Sequence, residues 1–255
     1  MPIEADIYYH FYEGSAEGER PALILIHGAG GNHLYWPPNI RRLGGYRVFA
    51  PDLPGHGKSG GRGQQTISAY ADSIRGWMDT IGLHSAILVG HSMGSAIALD
   101  LALNHRQHVT ALTLLGAGAR MRVNPALIEA ASSQTTFHIA IDNIIDWSFA
   151  TDTPQELKDL AAKRMMEIRP SVLHGDFLAC DAFDVSEQLG EINKPTLIIC
   201  GKEDQMTPPR NSQFLKDQIP DASLAILPNA GHMLMLEQSG QAADVLLDFI
   251  DNYHY

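Results

Sequence analysis

One serine, one aspartate and one histidine carry the reactive chemistry of this chain. Ser92 sits in Gly90-His91-Ser92-Met93-Gly94, between two glycines and directly after an apolar run. A serine hydroxyl is a weak nucleophile at neutral pH and needs an adjacent base to take its proton as it attacks a carbonyl carbon. His232, in Pro228-Asn229-Ala230-Gly231-His232, is the candidate base, because imidazole titrates near neutrality and can return the proton to a leaving group. Asp204, in Gly201-Lys202-Glu203-Asp204, is the candidate for fixing the tautomer of that histidine, with Glu203 beside it as the weaker choice. Together the three would perform acyl transfer, with a rate that rises as the histidine loses its proton.

The elements that must hold these residues can be read around them. Residues 86–89 form a strand, the glycines allow a sharp turn, and 95–103 read as a buried helix rich in small residues. That helix points free N–H groups and its positive dipole end at Ser92. Strands over 195–200 and 223–227 precede Asp204 and His232, so all three residues lie past strand ends, where open α/β sheets assemble their sites. Strand and helix patterns alternate from Pro21 to about Leu115 and resume at Pro195. Residues 5–11 read as an antiparallel edge strand, and helices are expected over 66–81, 211–219 and 241–253. The pattern predicts an α/β fold, a mostly parallel twisted sheet with helices on both faces.

The chain order serine, acid, histidine at strand ends resembles the α/β-hydrolase fold superfamily over nearly the whole length. His27-Gly28-Ala29-Gly30-Gly31, after a strand over 22–26, is similar to that family's oxyanion loop. Asp52-Leu53-Pro54-Gly55-His56-Gly57-Lys58-Ser59, after a strand over 46–50, is similar to its D-x-P-G-x-G-x-S loop. The resemblance implies Ser92 as nucleophile, Asp204 as the acid, and the backbone N–H groups of Ala29 and Met93 as the oxyanion hole. It also implies a hydrolase core over 1–120 and 191–255 with a helical cap inserted at 121–190. A serine nucleophile argues against the superfamily's dehalogenases and epoxide hydrolases, which use a carboxylate. Esterases, lactonases, thioesterases and C–C bond hydrolases remain. Ring-fission C–C hydrolases usually place tryptophan after the catalytic histidine, where this chain has Met233. A carboxylic ester hydrolase is the leading expectation, a C–C or enol-lactone hydrolase the alternative, and a non-catalytic ligand receptor the rival from another class.

Between 116 and 194 the strand signal is weak and helical periods prevail, with helices expected over 125–133, 137–148, 154–168, 170–179 and 181–188. Asn124-Pro125 and Thr153-Pro154 look like helix starts. Met121, Phe137, Trp147, Met165, Met166 and Phe177 are the candidate substrate-lining residues. A methionine-rich wall adapts to varied apolar shapes, which suits a substrate of small to medium size.

The 255 residues suit one α/β domain with an insertion. A formal net charge of -11 argues against a nucleic-acid partner. Apolar runs are strand-length, so no membrane span is expected. No metal-ligating spacing is evident, and no cofactor is expected. His56, His91, His138 and His174 read as structural or surface residues. Cys180 and Cys200 read as reduced buried thiols, and the N-terminus shows no secretory signature, so the expected setting is cytoplasmic, as monomer or homodimer.

Overall fold

Five-residue runs such as Ala-Leu-Ile-Leu-Ile have no polar face, and only a strand covered on both sides satisfies them. In the computed structural model, which describes residues 3–14 and 20–252, that run is β3 (Ala22–Ile26), buried at every position. It lies within an eight-stranded sheet with β1 (Ile3–Glu4), β2 (Ile7–Glu13), β4 (Arg47–Pro51), β5 (Ala86–His91), β6 (Val109–Leu115), β7 (Thr196–Gly201) and β8 (Ala222–Leu227). The order is β1-β2-β4-β3-β5-β6-β7-β8, with the β1–β2 and β2–β4 pairings antiparallel and the others parallel. The predicted N-terminal edge strand is therefore next to the edge, because the short β1 folds back onto it.

Alternate residues feed two cores. Ile24, Ile26, Leu88, Leu112, Leu114 and Ile198 pack on one face with α2 (Ile67–Thr80), α3 (Met93–Asn104) and α8 (Pro209–Gln218). Leu23, Leu25, Ile87, Val89, Leu197 and Ile199 pack on the other with α1 (Pro38–Arg41) and α10 (Ser239–Asn252). The sequence places the end of α10 at Tyr253, outside the described residues. A short helix, α9 (Leu234–Glu237), follows His232.

Four helices stand between β6 and β7: α4 (Pro125–Ala131), α5 (Phe137–Ser148), α6 (Gln155–Met165) and α7 (Pro170–Ala182). Proline at the first position starts α4 and α7, where a missing N–H is harmless. The helix expected over 181–188 does not form. Asp184 instead accepts from the N–H and hydroxyl of Ser186, at 3.1 and 2.7 Å, and pairs across to Arg120 in an isolated bridge. Such local side-chain bonds compete with helical ones and stop the chain from coiling.

Candidate active site

Ser92 occupies the turn between β5 and α3 with φ 53° and ψ -119°, a backbone state that L residues rarely adopt. Its neighbours explain how the turn closes. A side chain at Gly90 would strike the carbonyl of Gly94, and one at Gly94 would strike that of Ile26. The Ser92 N–H donates to the Leu115 carbonyl at 2.9 Å, which ties the turn to β6.

Asp204 and His232 arrive from the next two strands. Asp204 Oδ1 accepts from the N–H groups of Met206 and Thr207, at 2.9 and 2.8 Å. Its Oδ2 accepts from the Thr207 hydroxyl at 2.8 Å and from His232 Nδ1 at 2.9 Å. Burial alone would raise the Asp204 carboxyl, but the His232 charge and these hydrogen bonds outweigh it and hold it below the usual carboxylate value. The aspartate is thus ionised, with His232 Nδ1 committed to it and Nε2 left for another partner.

The backbone around His232 is equally constrained. His91 Nε2 donates to the His232 carbonyl at 2.9 Å. Burial first, and then the His232 charge, push His91 down to about 3, so it stays neutral and holds that bond. The Met233 N–H donates to the Ser148 carbonyl at 3.0 Å, and Gly231 to Glu237 at 2.8 Å. Gly116, at φ 54°, leaves the room that His232 fills, since a side chain there would come within 3.0 Å of the imidazole.

Ser92 and His232 line one cavity of about 360 Å³, together with Gly28 and Ala29 from the loop after β3. The N–H groups of Ala29 and Met93 donate to no acceptor among the described residues, so both remain available to a ligand. The loop carrying Ala29 is fixed from two sides. His27 Nε2 accepts from the Leu53 N–H at 3.0 Å, and the Gly30 N–H donates to Asp176 Oδ2 at 2.9 Å. Asp176 belongs to α7 and is fully buried. It also accepts from His56 Nε2 at 2.8 Å and from the Tyr70 hydroxyl at 2.5 Å. Burial would lower His56, but the Asp176 charge and hydrogen bond reverse that and raise it above the ordinary imidazole value.

Met121, Trp147, Met165 and Phe177 line the cavity, whereas Phe137 and Met166 do not. Phe137 opens α5 and is buried among the helices. Met166 is 47% exposed, because consecutive helical residues lie about 100° apart and Met165 already takes the inward position. The cavity also holds Tyr35, whose buried hydroxyl has no hydrogen-bond partner among the described residues, and Arg120, Arg122 and Arg210. The sequence reading did not select these four, as they carry no local motif. Cys180, also on the wall, and Cys200 are free thiols. Among the described residues no helix is long and apolar enough to cross a membrane.

The α/β hydrolase fold family profile matches residues 21–239, which take in β3 to β8, the Ser92 turn and the His232 loop. This chain belongs to that family. Relatives of this α/β hydrolase include a 2-hydroxy-6-oxo-6-phenylhexa-2,4-dienoate hydrolase of Burkholderia cepacia, 31% identical over 92% of this chain and 89% of the relative. A thermophilic esterase of known structure is 30% identical with a TM-score of 0.80, covering 96% of this chain and 98% of that one. The enol-lactonase of Burkholderia xenovorans LB400 shares the fold with a TM-score of 0.89 at 23% identity, over 96% of each chain.

Proposed function

We propose that this α/β hydrolase is a serine hydrolase that cleaves a carboxylic ester of a small-to-medium, largely apolar substrate through an acyl-enzyme. The observation that carries the reading is the buried Asp204–His232 pair opening onto the same cavity as Ser92 in its strained turn. Ser92 Oγ attacks the ester carbonyl while His232 Nε2 takes its proton. The carbonyl oxygen becomes an oxyanion between the Ala29 and Met93 N–H groups, where each donor contributes about 3 to 4 kcal/mol in comparable sites. Collapse breaks the bond to the alcohol, which leaves with the proton from His232. Water then attacks the acyl-enzyme by the same route, returning Ser92 and releasing the acid. Helices α4 to α7 act as a cap that excludes bulk water, with Met121, Trp147, Met165 and Phe177 against the substrate.

A C–C bond hydrolase is the second reading, favoured by the 31% identity to the dienoate hydrolase. Met233, where ring-fission enzymes usually carry tryptophan, weighs for the ester. Steady-state hydrolysis of p-nitrophenyl esters of increasing acyl length, with wild type beside Ser92→Ala, tests the proposal. Turnover at some length, lost by at least about 10³-fold in the variant, is the expected result. Unreduced activity in Ser92→Ala would overturn it. Bleaching of a ring-fission dienoate without ester turnover would select the second reading, and binding without turnover of either substrate would leave a receptor.

A further inference from the structure

The substrate itself is marked by charge, on an argument that rests on the hydrolase reading above. The chain has 29 acidic and 18 basic residues, yet among the described residues no Asp or Glu lines the Ser92 cavity, while Arg120, Arg122 and Arg210 all do. A wall drawn at random from so acidic a chain would carry the opposite sign. The side chains of Arg120 and Arg122 are 52% and 58% exposed, so these residues stand where the cavity meets solvent. Each leans on a carboxylate outside the wall, Asp184 at 3.4 Å and Asp181 at 3.9 Å.

Arg210 differs. Among the described residues it has no carboxylate at ion-pair distance. It also lies in the first turn of α8, which has no acidic residue there. A helix N-terminus carries partial positive charge, so the local field disfavours a cation there. An unpaired guanidinium in an unfavourable field, facing a cavity whose other fixed charges share its sign, is suited to an anion from solution.

We propose that the substrate carries an anionic group remote from the scissile bond, a carboxylate or a phosphoryl group, which Arg210 binds at the cavity mouth with Arg120 and Arg122 adding to the field. The guanidinium fork matches two oxygens of either group. The apolar part of the substrate then lies inward against Leu127, Ile144 and Phe177, toward Ser92.

The test compares kcat/KM for monomethyl adipate and methyl hexanoate, esters of equal chain length that differ in the terminal carboxylate. Wild type should prefer the anionic ester by about tenfold, the value of one charge-assisted contact. The preference should fall toward unity in Arg210→Ala, recover in part in Arg210→Lys, and shrink with added salt. A methyl ester with a terminal phosphonate of the same length distinguishes the two anions. No preference in wild type, or a preference unchanged in Arg210→Ala, overturns the proposal. Calorimetric binding of adipate to Ser92→Ala separates it from the ester reading. Arg210-dependent binding with no turnover of either ester would sustain the anion site and reject the esterase. Turnover of both esters at equal efficiency would do the reverse.

Discussion

His232–Asp204 and His56–Asp176 are both buried imidazole–carboxylate pairs, at 2.9 and 2.8 Å, and they differ in what surrounds them. The first opens onto a cavity through the imidazole, and its carboxylate is satisfied by its own loop, from Met206 and Thr207. The second is sealed, with neither side chain exposed. Its carboxylate takes donors from three distant stretches, Gly30, His56 and Tyr70. The same pair chemistry suits a movable proton where one nitrogen is left free, and a fastening where every donor is committed. The second pair joins helix α7 to the loop that carries Ala29.

Breaking each pair with its amide isostere should separate these roles. Asp204→Asn should give the largest effect on turnover, a fall of about 10⁴-fold in kcat with a smaller loss of stability than in the second pair, because the amide keeps the shape but disturbs the tautomer. Steady-state kinetics beside thermal melts check both halves. Asp176→Asn should instead act first on the fold, since it removes the buried carboxylate that Gly30, His56 and Tyr70 share. A loss of about 3 to 5 kcal/mol in denaturant unfolding is expected.

The pairs should also fail at opposite ends of the pH scale. Asp204 is held below its ordinary 3.8, so its stabilisation is complete above that value and is lost as pH falls through the lowered one. His56 is raised above its ordinary 6.5, so its stabilisation is complete below that value and is lost as pH climbs through the raised one. Melting temperatures across the pH range should show an alkaline limb that disappears in Asp176→Asn and an acid limb that shrinks in Asp204→Asn. The smallest change is Thr207→Val, which removes a hydroxyl 2.8 Å from Asp204 and 3.1 Å from His232 Nδ1. A drop in kcat of about tenfold with KM unchanged would mark it as a positioning residue, in line with one charge-assisted hydrogen bond.

The two pairs were also unequally legible in the sequence. Asp204 and His232 each follow an apolar strand and a glycine-containing turn, so local pattern alone brings them to one sheet edge. Asp176 sits inside a helix, and its partners lie 106 to 146 residues away, beyond any local signal. The three cavity arginines were hidden for the same reason, since nothing in their own segments separates them from surface charge. Sheet strands emerged within a residue or two because buried β-branched and leucine runs permit little else. Within the insertion, Phe137 and Met166 were misplaced because helical period does not say which neighbour claims each face. The helix expected over 181–188 failed where Asp184 and Ser186 bonded to each other.

The order of strands in the sheet has a consequence for how the protein is made. His91 and His232 are 141 residues apart, and Asp204 and His232 both follow strands that are made after the Ser92 turn. At synthesis rates of about 5 to 20 residues per second, a growing chain presents its serine for roughly ten seconds before the histidine is even translated. Throughout that interval Ser92 lacks the base that the proposed acyl transfer needs. The proposed reactivity therefore waits for the segment that carries His232.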